Sequence, residues 1–149
     1  MRAVIQRVDR ASVSINHQEL SSINEGILLL LGVAKDDTET DADYILEKTI
    51  NLRIFEDDQE KMNRSLLDIQ GAMMVVSQFT LLGDCAKGRR PSFVKAEEPA
   101  RANILYEYFV KKAKEKVHCL ATGKFQEMMK IELVNNGPVT ILLDSRKSF

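Results

Sequence analysis

Ser77 and Thr80, in the segment Ser77-Gln78-Phe79-Thr80, carry the hydroxyls best suited to act as nucleophiles. An alcohol attacks an ester only when a neighbouring base takes its proton. The chain has two histidines, His17 in a polar turn and His118 at the end of a lysine-rich stretch, and neither stands in a triad setting. No Gly-x-Ser-x-Gly elbow occurs. Two lone histidines are too few for a typical zinc site, and Cys85 and Cys119 lack metal-ligand spacing. The acidic pairs Asp57-Asp58 and Glu97-Glu98 fall in turn-like segments and read as solvated charge. The sequence thus offers hydroxyls without ordinary hydrolase machinery, and it calls for no metal or cofactor.

Two places break the local pattern, as functional sites tend to do. Ser77-Gln78 follows the apolar run Met73–Val76 directly. A buried glutamine brings donors and an acceptor that need partners, at about 1–3 kcal/mol for one left unmet. The alternative is a strand leaving the core, with both side chains in water. Gly137-Pro138 stands between two strand-like runs. Proline removes a ladder donor and restricts the residue before it, and glycine relaxes that restriction. Read locally, Asn135-Asn136-Gly137-Pro138 is a hairpin turn.

The elements that must position these residues are mostly strands. Ala11, Val13 and Ile15 alternate with Ser12, Ser14 and Asn16, the period of a half-buried strand. Ile27–Val33 is apolar throughout and suits a central strand. Thr38 with Asp41 predicts a capping box opening a helix at about 39–51. An acidic turn at 56–59 and a break at Gly71 lead into a strand over Ala72–Leu82. Residues 83–98 form a long loop carrying Lys87, Arg89, Arg90 and Lys95, and loops of that length are often functional. Pro99 suits the first turn of a second helix, with Leu105, Tyr108/Phe109, Ala113 and Val117 as its apolar stripe. Met129, Ile131 and Leu133 alternate as a strand, and Val139–Leu143 forms another. The pattern is one α/β domain over 1–149, with more strand than helix.

Composition narrows the setting. The chain has 149 residues, 44% hydrophobic and 29% charged, with a net charge of −1. A core of this size needs no disulfide, and the two cysteines read as reduced thiols. The charge balance argues against non-specific coating of nucleic acid but leaves room for a few phosphate contacts. The longest apolar run, 27–34, is too short for a membrane span. Arg2, Arg7 and Arg10 interrupt any signal-peptide core, so a cytoplasmic protein with no membrane partner is expected.

Taken together, Met1–Val8, Ser77–Thr80, Gly88-Arg89-Arg90-Pro91-Ser92-Phe93 and Asn136-Gly137-Pro138-Val139-Thr140 resemble the D-aminoacyl-tRNA deacylase family. Asn51–Phe55 and Lys61–Ser65 extend the resemblance nearly end to end. Two departures occur: Leu82-Gly83 replace the usual Tyr-Ala, and Asn136 stands where Asp is common. The resemblance implies a homodimer of β-sheets in a barrel-like core flanked by helices, with the active site at the interface. It implies that Ser77, Gln78, Phe79 and Thr80 line the catalytic pocket. Gly137 and Pro138, joined by a cis bond in the family, would reach into the partner's pocket as a chiral selector. Arg7 would brace that loop, and Ala102, Phe125 and Met129 would pack the terminal adenosine.

The implied activity is editing: hydrolysis of the ester of D-aminoacyl-tRNA, assisted by the tRNA's own 2′-hydroxyl, with no DNA required. That assistance accounts for the missing protein base. Competing readings are an esterase using Ser77 or Thr80, a non-catalytic RNA-binding module, and an editor that removes a wrong L-amino acid.

Overall fold

Ile27–Leu31 carries no polar residue because both faces of its strand are covered. In the structure, a computed structural model describing residues 1–149, this run is the heart of β3 (Gly26–Gly32). Ile27, Leu29 and Leu31 point to a core shared with two helices, and Leu28 points to a second core. Burying such side chains contributes about 1.5–3 kcal/mol each, so this strand anchors both layers.

Around it the chain runs β1 (Arg2–Ile15), β2 (Gln18–Ile23), β3, α1 (Glu39–Asn51), β4 (Phe55–Glu56), β5 (Met62–Arg64), β6 (Ala72–Ser77), α2 (Pro99–Lys116), β7 (Cys119–Thr122) and β8 (Lys130–Asp144). β1 pairs antiparallel with β2 through its second half, with β3 through its first half, and with β8 along nearly its whole length. β6 lies parallel to both β3 and β7. At the two ends of this order, the Ser21 hydroxyl of β2 donates to the Thr122 carbonyl of β7 at 2.8 Å, nearly closing the sheet into a barrel. Gly26 sits where a Cβ would fall 1.8 Å from the Ala72 carbonyl oxygen, so no other residue lets β3 and β6 approach this closely.

The helices start where capping chemistry places them. The Asp41 carboxylate accepts from the Thr38 N–H and hydroxyl at 2.8 and 3.1 Å, fixing the first turn of α1. At α2 the cap is Glu98, whose carboxylate accepts from Ala100 and Arg101 N–H at 3.2 and 2.8 Å, with Pro99 next. The helices pack on the outer face of the barrel with Ile45, Ile50, Leu105, Phe109 and Ala113 buried between. Tyr106, outside the anticipated stripe, is buried as well, while Tyr108 is half exposed and donates to Asp43. No helix is long and apolar enough to cross a membrane.

Two expected boundaries are corrected. The strand expected over 72–82 stops at Ser77, and Phe79–Leu82 turns as a short 3-10 helix. The hairpin expected at 135–138 does not exist: β8 runs unbroken from Lys130 to Asp144. Its partner is β1 throughout, so the interruption is a bulge, not a reversal.

Candidate active site

Ser77 is the last residue of β6 in register with β3, opposite Leu31. The Gln78 N–H still donates to the Leu31 carbonyl at 2.8 Å, but the backbone then bends into the 3-10 turn. Ser77 and Gln78 are therefore half-buried at a strand end, and Phe79 and Thr80 are exposed. Leu81 and Gly83 donate back to Gln78 and Thr80. The N–H groups of Phe79 and Thr80 head the turn and take no acceptor within the chain, as the first donors of a helical segment do. The Gln78 amide donates to the Thr80 hydroxyl oxygen, and no side chain or carbonyl of the chain accepts from that hydroxyl.

These residues open onto a cavity of about 790 Å³. Val76 and Ser77–Thr80 line one side. Pro99 and Ala102 of α2 line another, and Phe125, Met129 and Ile131 the third. Phe93 of the 83–98 loop also lines it, packed edge-on against Phe79 at 5.0 Å between ring centres. The wall is held from behind. The Val75 carbonyl accepts from the Tyr106 hydroxyl at 2.9 Å and from the Gly123 N–H at 3.0 Å, and the Tyr106 ring lies 5.8 Å from Phe125. Burial pushes the Tyr106 phenol up to about 12, so it stays a neutral donor.

The lining is mainly apolar, and its charged members, Glu97 and Glu127, are both acidic. Glu97 contradicts the reading of solvated charge: its side chain is only 10% exposed. Its Oε1 accepts from the Glu98 N–H at 2.9 Å, and Oε2 lies 3.3 Å from Nε of Arg101. Neither histidine lines the cavity. Lys87, Arg89 and Arg90 are exposed on the loop beside it.

The bulge lies apart. Between the pairs Gln6↔Thr140 and Val8↔Asn135, β1 supplies Arg7 alone while β8 supplies residues 136–139. The surplus residues are pushed outward, leaving Gly137 and Pro138 exposed. Arg7, nearly buried, spans the gap: Nε donates to the Asn136 carbonyl at 3.0 Å and Nη1 to the Ile54 carbonyl at 2.7 Å. The Asn136 side-chain amide donates to Asp9 at 2.7 Å, and Asn135 Oδ1 accepts from Val139 N–H at 2.9 Å. The Gly137-Pro138 bond is cis, with Gly137 at φ +128°.

The structure thus brings Ser77, Gln78, Phe79, Thr80, Ala102, Phe125 and Met129 around one cavity. It places Arg7, Gly137 and Pro138 together at the bulge, outside that cavity. Tyr106 and Glu97 were missed. Tyr106 carries no sequence signal beyond a helical tyrosine, whereas an acid immediately before a helix-starting Pro-x-x could have marked Glu98 as a cap and Glu97 as its neighbour.

Comparison with known proteins agrees with the geometry. The model of the D-Tyr-tRNA(Tyr) deacylase family matches residues 4–144. The D-aminoacyl-tRNA deacylases of Syntrophus aciditrophicus (strain SB) and Clostridioides difficile (strain 630) are 60% and 58% identical over 149 residues, covering all of each chain. Among solved structures, the c-Myc DNA Unwinding Element Binding Protein superposes with a TM-score of 0.92 at 37% identity, over 97% of this chain and 98% of that one. A probable eukaryotic D-amino acid tRNA deacylase shares the fold at 15% identity, with a TM-score of 0.80 over 95% and 97% of the two chains. The chain belongs to the D-Tyr-tRNA(Tyr) deacylase family.

Proposed function

We propose that residues 1–149 act as one editing domain that hydrolyses the ester of D-aminoacyl-tRNA, releasing free D-amino acid and tRNA. The observation that carries this is the cavity itself. It gathers Ser77–Thr80, Ala102, Phe125 and Met129 yet gives its hydroxyls no protein base. Such a site suits a substrate whose ester is already activated and which brings its own hydroxyl.

In this reading water attacks the ester carbonyl, helped by the 2′-hydroxyl of the terminal ribose. The bond from carbonyl carbon to ribose oxygen breaks, and the ribose oxygen leaves with a proton. The free N–H groups of Phe79 and Thr80 hold the developing oxyanion. Thr80, accepting a hydrogen bond from Gln78, orients the turn without attacking.

A thousandfold preference for one hand requires about 4 kcal/mol. One methylene of apolar contact supplies only about 1–3 kcal/mol, so rejection of the L side chain by rigid backbone is the better solution. Gly137 and Pro138 provide such backbone, and we place them in the cavity of a second copy, making the working unit a homodimer with its site at the interface. Their exposure, with the nearly buried Arg7 bracing the Asn136 carbonyl, supports this. Glycine has no side chain to refuse, so glycine mischarged on tRNA(Ala) is a further substrate. The expected setting is the cytoplasm, with neither DNA nor membrane needed.

The test compares D- and L-tyrosyl-tRNA with purified protein. Hydrolysis of the D-ester alone is expected, and equal rates would refute the selector. A 2′-deoxy terminal adenosine should abolish turnover; unchanged turnover would return the chemistry to a protein nucleophile.

A further inference from the structure

The charge of the cavity limits what it can hold. Its charged lining residues are two carboxylates, Glu97 paired with Arg101 at 3.3 Å and Glu127 with Lys124 at 3.4 Å, while Lys87, Arg89 and Arg90 are exposed on the 83–98 loop and do not line it. A phosphate is unwelcome in such a lining. The space instead suits an uncharged, flat group between the apolar surfaces of Ala102, Phe125, Met129 and Ile131, which is what a nucleobase presents. Against that apolar wall stands one largely buried charge, Glu97. A carboxylate offers about four acceptor positions and no donor. Its contacts with the Glu98 N–H and with Arg101 leave acceptor capacity unused. They also fix the carboxylate in place, since the first belongs to the turn that starts α2 and the second to its first turn. The Glu97 N–H, donating to the Val33 carbonyl at 3.0 Å, ties the same residue to the end of β3. A fixed acceptor beside an apolar slot reads an N–H donor on the edge of a base.

We propose that Glu97 is a specificity residue for the terminal base of the substrate, its carboxylate accepting a hydrogen bond from the exocyclic amine of the adenine. This rests on the deacylase reading above and adds a basis for recognising the nucleotide. Glu97 takes no part in the bond-breaking step, so its loss raises KM and leaves kcat nearly unchanged. The α-ammonium of the aminoacyl group is the other N–H donor in the substrate, and the experiment separates the two.

The experiment uses purified full-length protein and three D-acyl-tRNA substrates. The first ends in adenosine, the second in purine riboside, which lacks the 6-amino group, and the third carries a deaminated tyrosyl ester on adenosine. In the unsubstituted protein, removing the 6-amino group should lower kcat/KM about tenfold or more, through KM. In Glu97→Ala the adenosine substrate should lose a similar factor, and the purine substrate should then be turned over equally well. Glu97→Gln keeps an oxygen acceptor and should retain part of the preference, which also guards against an alanine variant that folds poorly. Equal rates on adenosine and purine in the unsubstituted protein would overturn the proposal. So would a tenfold preference that survives in Glu97→Ala, or a penalty for the deaminated ester that disappears in that variant. Absence of hydrolysis of every substrate by the unsubstituted protein would instead bring down the deacylase reading, and this proposal with it.

Discussion

The Ser77–Thr80 cavity is walled by elements of its own chain, whereas the Gly137-Pro138 bulge stands exposed with its bracing behind it. The cavity is mainly apolar and concave, with free N–H donors at one side. The bulge is a projection of backbone held by side-chain bonds from Arg7 and Asn135 and by the exposed Asn136–Asp9 pair. In the proposed dimer the first would receive and the second be received. Keeping the bulge out of its own subunit's cavity makes sense when two subunits meet, because a rigid projection can then police a pocket it does not belong to.

The contrast can be broken most severely at Gly137. At φ +128° an alanine is strained, and its Cβ would lie 2.8 Å from a Val139 methyl and 3.0 Å from Nη2 of Arg7. Gly137→Ala should lower D-aminoacyl-tRNA turnover about a hundredfold, equivalent to about 2.7 kcal/mol. Its melting temperature should change by only a few degrees, because Gly137 itself is exposed and belongs to neither core. Filling the cavity from the other side gives the next largest effect. Ala102→Trp should raise KM by more than tenfold while the D-over-L ratio survives, a split that steady-state kinetics reads directly.

Arg7→Lys comes third. Lysine cannot reproduce the fork that bonds both Asn136 and Ile54. A buried carbonyl left unmet costs about 1–3 kcal/mol, so unfolding in urea should show that loss, and hydrolysis of L-tyrosyl-tRNA should rise by about tenfold. Acid produces the smallest effect. The Ala86 N–H, then Lys95, hold the Asp84 carboxyl below its ordinary value of 3.8, and Asp84 pairs with Ser92 across the loop that carries Phe93. Folding thus favours the ionised form. That contribution is complete above pH 3.8 and is lost as pH falls through the lower folded value, so a pH series of melting temperatures should decline only there.

Much of this architecture was legible. Ile27–Val33 announced a strand covered on both faces, Thr38 with Asp41 announced α1, and Pro99 announced α2. The break in pattern at Ser77-Gln78 singled out residues that line the cavity, although the strand was expected to continue to Leu82 and ends at Ser77. What was illegible was non-local. Asn135–Pro138 has the chemistry of a turn, and only the pairing of β8 with β1 on both sides of it makes it a bulge. Glu97 looked like surface charge because its placement depends on Val33, just past β3 and remote in sequence, accepting its N–H.

Complementation between two impaired variants tests the central claim most directly. Ala102→Trp spoils the cavity and Gly137→Ala spoils the bulge, so with substrate well below KM each homodimer should fall at least tenfold in rate. If the site is shared, each mixed dimer holds one site with both parts intact. Random reassociation of equal amounts should then restore about a quarter of the unsubstituted activity on D-tyrosyl-tRNA. Failure of the mixture to regain activity, with mixed dimers shown to form, would mean that cavity and bulge serve within a single subunit, and would contradict the account.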